Sequence, residues 1–323
     1  MRSHVAGVVL LMVLLCIPGM LNGCASFARP SPPGQPPDGP GGSNYSHAEV
    51  TVHQYGTGGW SYWLFEPAGP TPETAPVIVF NHGYAATEPQ WYQAWVTHLV
   101  RRGNIVIYPR YQLGLVWGLS FATTHAIWAV RSALRILNTT GHVHPDLEKF
   151  AIVGHSLGGG ITAEMAAKAA SSGLPVPRAV MPVQPFIRPN TMLVDYHAIP
   201  AETLLLVVCG QDDKIAGNAS GKLIFYTSDQ IPLDRKDFVI QRTDAYGRPV
   251  LLATHGAPVC VPNSSWTDAM DYYSTWKLFD GLTDYAFYGT HREYCLGNTS
   301  QQRFMGLWSD GTPVRELLVT DTP

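Results

Sequence analysis

Gly154-His155-Ser156-Leu157-Gly158 stands between a strand-like stretch, residues 149–153, and an Ala-rich stretch, residues 158–171. A strand that passes into a helix over so few residues needs a very sharp turn. Glycines at both ends of that turn leave space where side chains would strike the neighbouring strand and helix. The junction therefore commits this part of the chain to a strand–turn–helix unit with Ser156 at its apex, in strained backbone. The Ser156 hydroxyl is expected above the sheet at a helix N-terminus, whose dipole favours negative charge.

The flanking sequence repeats this alternation. Residues 48–55 and 60–66 are rich in aromatic and β-branched residues and are separated by Gly-rich turn chemistry. Residues 76–80 form a continuous apolar run, the mark of a strand buried on both faces. A helix is expected over 89–102 and a strand over 104–108, then a helix over 120–137. Strands over 178–183 and 203–209 follow, with 237–241 as the last. Such alternation predicts one α/β domain: a mostly parallel central sheet with helices on both faces. With 46% apolar and only 14% charged residues, a chain of 323 residues has ample material for such a core. A net charge of −3 and the lack of any Lys/Arg cluster argue against nucleic acid as a partner. No HExxH, phosphate-cradling loop or dinucleotide fingerprint occurs, so neither a metal nor another cofactor is expected.

The N-terminus reads as a targeting segment. Residues 5–17 are almost wholly apolar, too few to span a bilayer but suited to a signal-peptide core. Leu21-Asn22-Gly23-Cys24 resembles the lipobox of bacterial lipoproteins, where the cysteine is lipidated and becomes the new N-terminus. The alternative is an ordinary cleaved signal peptide with Cys24 incidental. Residues 30–42 are nearly all Pro and Gly, which reads as an extended tether. The expected organisation is residues 1–24 signal peptide with lipobox, 25–44 tether and 45–323 folded domain. That makes an exported protein, lipid-anchored to the bacterial envelope or else secreted, and acting as a monomer.

Three stretches carry a resemblance to the α/β-hydrolase superfamily, nearest its dienelactone-hydrolase and cutinase-like polyesterase branch. They are Asn81-His82-Gly83-Tyr84, Gly154-His155-Ser156-Leu157-Gly158-Gly159 and Gly210-Gln211-Asp212-Asp213-Lys214-Ile215-Ala216. The resemblance implies a serine nucleophile with an acid and a base following in the order Ser, Asp, His. Ser156 is the nucleophile. The family's Asp ahead of x-Ile-Ala falls on Asp213, with Asp212 as its competitor in a solvated loop. Most of the twelve histidines precede Ser156, and His197 precedes the acid. His255, flanked by small residues and Gly256, is therefore the expected base, and His291 the alternative.

The N–H of Leu157, next to the nucleophile, and by resemblance the N–H of Tyr84 form the expected oxyanion hole. Gly83 lets that loop turn in, and His82 is structural. The Tyr84 ring and Trp91 are the expected substrate-binding surfaces, while Trp91, Tyr92 and Trp95 also suit core packing, and Trp117 and Trp128 are equally ambiguous. The implied activity is hydrolysis of small-molecule or polymeric carboxylic esters through an acyl-enzyme. Alternatives are the same machinery on a peptide, thioester or dienelactone, or a non-catalytic surface lipoprotein on this fold. An exported chain also permits a disulfide between Cys260 and Cys295, with Cys209 a small core residue.

Overall fold

The computed structural model describes residues 29–112, 119–188, 194–262 and 266–323. The signal segment with Cys24, and Trp117, lie outside the described residues.

Nine strands form one mixed sheet: β1 (Glu49–Tyr55), β2 (Tyr62–Ala68), β3 (Thr74–Asn81), β4 (Ile105–Pro109), β5 (His144–His155), β6 (Ala179–Val183), β7 (Leu204–Gly210), β8 (Lys236–Gln241) and β9 (Leu318–Thr320). Their order is β1-β2-β4-β3-β5-β6-β7-β8-β9. Strands β4, β3, β5, β6, β7 and β8 run parallel, while β1, β2 and β9 join antiparallel at the margins. The apolar runs of β3, β6 and β7 are buried on both faces, as parallel strands require.

Alternate residues of those strands feed two cores. Val77, Val79, Ile105, Ile107, Phe150 and Ile152 pack under α2 (Ala122–Leu137), α3 (Leu157–Ala167) and α4 (Ala219–Thr227). Ile78, Phe80, Val106, Tyr108, Ala151 and Val153 pack under α1 (Gln93–Arg101) and α5 (Lys277–Tyr288). Helix α1 turns Trp95, Val96, Leu99 and Val100 onto this face, all fully buried. Burying each such side chain contributes about 1.5–3 kcal/mol.

Three expectations change. First, β8 is not the last strand: Val319 pairs with Val239 and adds β9 at the edge. Three residues are too few to show a period. Second, residues 30–42 do not stand clear as a tether but lie against the body. Pro40, Gly41 and Gly42 are buried, and the Gly41 N–H donates to the Asp280 carboxylate at 2.7 Å. Further along, Arg248 N–H donates to Pro30 O and Ser309 N–H to Ser31 O. Asp280 is a buried hub that also meets His98 at 2.8 Å and Arg102 at 3.3 Å. Burial alone would raise its pKa, but Arg102, His98 and the Gly41 N–H together hold it below the usual carboxylate range.

Third, Cys260 and Cys295 are free thiols, both buried, and no disulfide joins them. Their sulfurs serve different partners: Cys260 Sγ accepts the Trp95 N–H at 3.3 Å, and Cys295 Sγ donates to Arg292 O at 3.3 Å. Cys209 is also free and buried, as expected of a small core residue.

Candidate active site

The chain doubles back at β3: β4 lies on one side of it and β5 on the other. Ligand sites in open α/β sheets form at the carboxyl ends of the strands where such a reversal occurs. Asn81, at the end of β3, is in register with Gly154 on β5. The loop after β3 and the turn after β5 therefore meet at this point.

Ser156 occupies that turn with φ 58° and ψ −122°, immediately before α3. Backbone of this kind costs of order 1–3 kcal/mol and persists only where its surroundings enforce it. Here Ser156 N–H donates to Val183 O, and Ser156 O accepts from Gly160 and Phe186. A side chain on Gly154 would meet Gly158 O at 2.6 Å and Asn81 Cβ at 2.7 Å, and one on Gly158 would strike the Asn81 and His82 carbonyls. The glycines are required by close approach, as the sequence suggests.

The Ser156 hydroxyl lies 2.8 Å from His255 Nε2. His255 Nδ1 lies 2.8 Å from Asp213 Oδ2, and the other Asp213 oxygen accepts the N–H groups of Ile215 and Ala216, each at 2.9 Å. Burial raises the Asp213 pKa, but the His255 contact and those two amides outweigh it and hold the carboxyl below its ordinary value. The acid is thus an anion able to fix the His255 tautomer. Asp212 points elsewhere: its carboxylate takes the Thr243 hydroxyl, so it is not the solvated carboxylate expected. His291 pairs with Asp284 beyond α5, at 2.9 Å. Gly256 has open space around it, so crowding is not what requires a small residue there.

The loop after β3 is anchored by buried polar groups, among them Tyr92, which the sequence left open between core packing and a substrate wall. Gly83 N–H donates to the Tyr92 hydroxyl at 3.1 Å, which in turn lies 2.8 Å from His155 Nδ1. The hydroxyl has one proton, so it accepts from Gly83 and donates to His155. His155 Nε2 then carries hydrogen and donates to Gln184 Oε1 at 3.3 Å. The Gln184 amide donates onward to Thr254 O at 2.9 Å, the residue before His255. One chain of bonds thus joins the loop carrying Gly83 to the loop carrying His255.

Burial, reinforced by the neighbouring His255, pushes His155 down to about 3, so it stays neutral. Its ring lies 4.7 Å from that of His255. His82 is buried and neutral too, lowered to about 4 chiefly by burial, with its ring stacked on Tyr111 at 4.0 Å. Tyr111 donates to His82 O, and Gln112 Oε1 accepts the Ala85 N–H at 3.0 Å. A signal was available only for Tyr111 and Gln112, whose polar groups follow the buried strand β4 and need partners there.

A cleft of about 450 Å³ opens over Ser156 and His255. Its walls are largely apolar and include Tyr84, Ala86, Trp91, Ile215 and Val259. Tyr84 is half exposed. Trp91, also partly exposed, stacks on Trp266 with centroids 6.4 Å apart, whereas Tyr92 and Trp95 are buried. Leu157 begins α3 directly beneath the cleft. A larger hollow of about 790 Å³ opens at the other ends of the strands, beside Arg131, Arg135 and Arg178, away from these groups.

The sheet with its reversal at β3, and the Ser156 elbow between β5 and α3, give the architecture of the α/β-hydrolase fold. A family model described as Chlorophyllase matches residues 64–190. That family lies within the esterases of the superfamily, so the match implies an ester-hydrolysing enzyme. The matched stretch includes Tyr84, Ser156 and Leu157 and ends before Asp213 and His255. No curated protein matches the chain significantly.

Proposed function

We propose that the protein is a serine esterase in which His255 takes the proton of Ser156 as its oxygen attacks the ester carbonyl. Ser156 Oγ forms the new bond to carbon, the alcohol departs with the proton returned by His255, and water then releases the acid from the acyl-enzyme. Asp213 stabilises the imidazolium. The N–H groups of Tyr84 and Leu157 receive the oxyanion. The observation that carries this reading is the pair of 2.8 Å contacts joining Ser156, His255 and Asp213 beneath an open cleft.

The apolar walls, with Tyr84 and Trp91 at the rim, suit an apolar or aromatic acyl group on a small or polymeric ester. The lipobox at Cys24 supports export and attachment to the envelope through one lipid, with residues 45–323 as a monomeric catalytic domain.

The test is turnover of a p-nitrophenyl ester series by wild type and Ser156→Ala, with and without a serine-reactive phosphonate. Loss of all but about 0.1% of turnover in the variant, with an unchanged melting curve, is expected for a nucleophile. Retention of more than a few per cent, or no phosphonate adduct on Ser156, overturns the reading.

A further inference from the structure

We propose that His53, Glu66 and His142 bind a divalent transition metal of the zinc class, at a site separate from the ester-hydrolysing centre. On the β1–β2 ladder His53 faces Leu64 and Thr51 faces Glu66. His53 and Glu66 are therefore diagonal neighbours on one face of the ribbon, within reach of each other. His142 comes from the turn between α2 and β5. Glu66 Oε1 lies 2.7 Å from His142 Nδ1 and 3.8 Å from His53 Nε2. The three ligating atoms all lie within 4.8 Å of one another.

The groups behind these ligands are arranged as around a metal. The far nitrogen of His142 lies 3.0 Å from the Tyr55 hydroxyl, and the far oxygen of Glu66 accepts the Val143 N–H at 2.7 Å. Such outer contacts hold the ring and the carboxylate in place and keep His142 Nδ1 and Glu66 Oε1 facing each other, where an ion can take the place of the proton they share. Two imidazoles with one carboxylate is a zinc donor set, which nickel and copper also favour, whereas calcium and magnesium require oxygen. Bonds of about 2.1 Å put tetrahedral ligand atoms about 3.4 Å apart. His53, with 41% of its side chain exposed, has the freedom to swing in, while Glu66 at 4% does not need to move. A hollow of about 350 Å³ beside Thr51 and Thr71 leaves room for a water as fourth ligand. On binding, the ion replaces the proton between His142 Nδ1 and Glu66 Oε1, which passes to solvent. No local motif marks the site because the ligands come from three separate stretches.

The bound ion would clip the edge strand β1 and the α2–β5 turn to β2. The experiment uses tag-free full chain stripped with a chelator, then equilibrium dialysis against Zn²⁺ with metal analysis, Co²⁺ absorption spectra and thermal melts. One Zn²⁺ per chain, visible Co²⁺ bands of a four-coordinate site, and a rise of about 5 °C in Tm at 100 times Kd are expected. His53→Ala should weaken binding at least about tenfold and leave ester kcat/KM unchanged, while His255→Ala retains the ion. Lack of stoichiometric uptake, or uptake lost in His255→Ala and kept in His53→Ala, overturns the site and leaves the three side chains as a hydrogen-bonded cluster. Neither result bears on whether Ser156 hydrolyses esters.

Discussion

Tyr92→Phe isolates the hydroxyl that links the loop after β3 to His155. The ring is fully buried against Phe80, centroids 5.2 Å apart, so phenylalanine keeps the packing and removes only the oxygen. Two buried groups then lose their partners: the Gly83 N–H, now at 3.1 Å from that oxygen, and His155 Nδ1, at 2.8 Å. Each unsatisfied buried group costs about 1–3 kcal/mol, so a loss of about 2–6 kcal/mol in unfolding free energy is expected. The catalytic effect follows from the next residue, Tyr84, whose N–H is the proposed oxyanion donor. Deleting such a donor outright costs about 10²–10³ in kcat. A loop that has lost one anchor but keeps Tyr111 and Gln112 should lose less, about 10- to 100-fold. Because the defect is felt by the charged intermediate, KM should stay within roughly twofold. Urea unfolding and steady-state kinetics on p-nitrophenyl butyrate measure both quantities. A kcat within twofold of wild type, alongside lowered stability, would refute the link between this hydroxyl and the oxyanion loop.

Gly158→Ala should unfold the protein or cost more than about 3 kcal/mol, because its methyl group meets two backbone carbonyls of the β3 end, while Gly256→Ala, with open space, should stay within about 0.5 kcal/mol. Denaturant titration of the pair decides it. Trp91→Ala should raise KM about tenfold for long or aromatic acyl esters and little for acetate, read from a chain-length series. Burial pushes Asp268 up to about 6, so the folded state holds a proton that the unfolded chain has released, and this group makes stability fall as pH rises from about 4 to 6. Asp268→Asn removes that term; its advantage over wild type should grow by up to about 3 kcal/mol between pH 4 and pH 7, and an advantage independent of pH would contradict the raised pKa.

The parts of the fold legible from sequence were those where one residue type answers to one constraint. Strand β3 shows because a strand buried on both faces tolerates only apolar residues. Gly154 and Gly158 show because nothing larger fits between β3 and the elbow. The loop bearing Asp213 and the segment bearing His255 follow from chain order, and they converge on Ser156 in space. What stayed hidden depends on partners distant in sequence. Tyr92 looks like another core aromatic until its oxygen meets Gly83 and His155. Gln184 bridges two loops that no local pattern connects. Cys260 and Cys295 share a core yet turn their sulfurs to different backbone groups. The Pro/Gly composition of residues 30–42 says nothing of the one amide, on Gly41, that finds a buried carboxylate.

That docked segment bears on the proposed lipid attachment. With Cys24 as the lipidated terminus, an extended tether reaching to residue 44 would let the body roam some 70 Å from the bilayer, at about 3.4 Å per residue. Because Pro30 is bonded to the body at Arg248, the proposed anchor would lie only six residue steps away, a covalent reach of at most about 20 Å. In the proposed lipoprotein the body would then be moored rather than trailing, with the flank around Arg248 and Ser309 nearest the anchor.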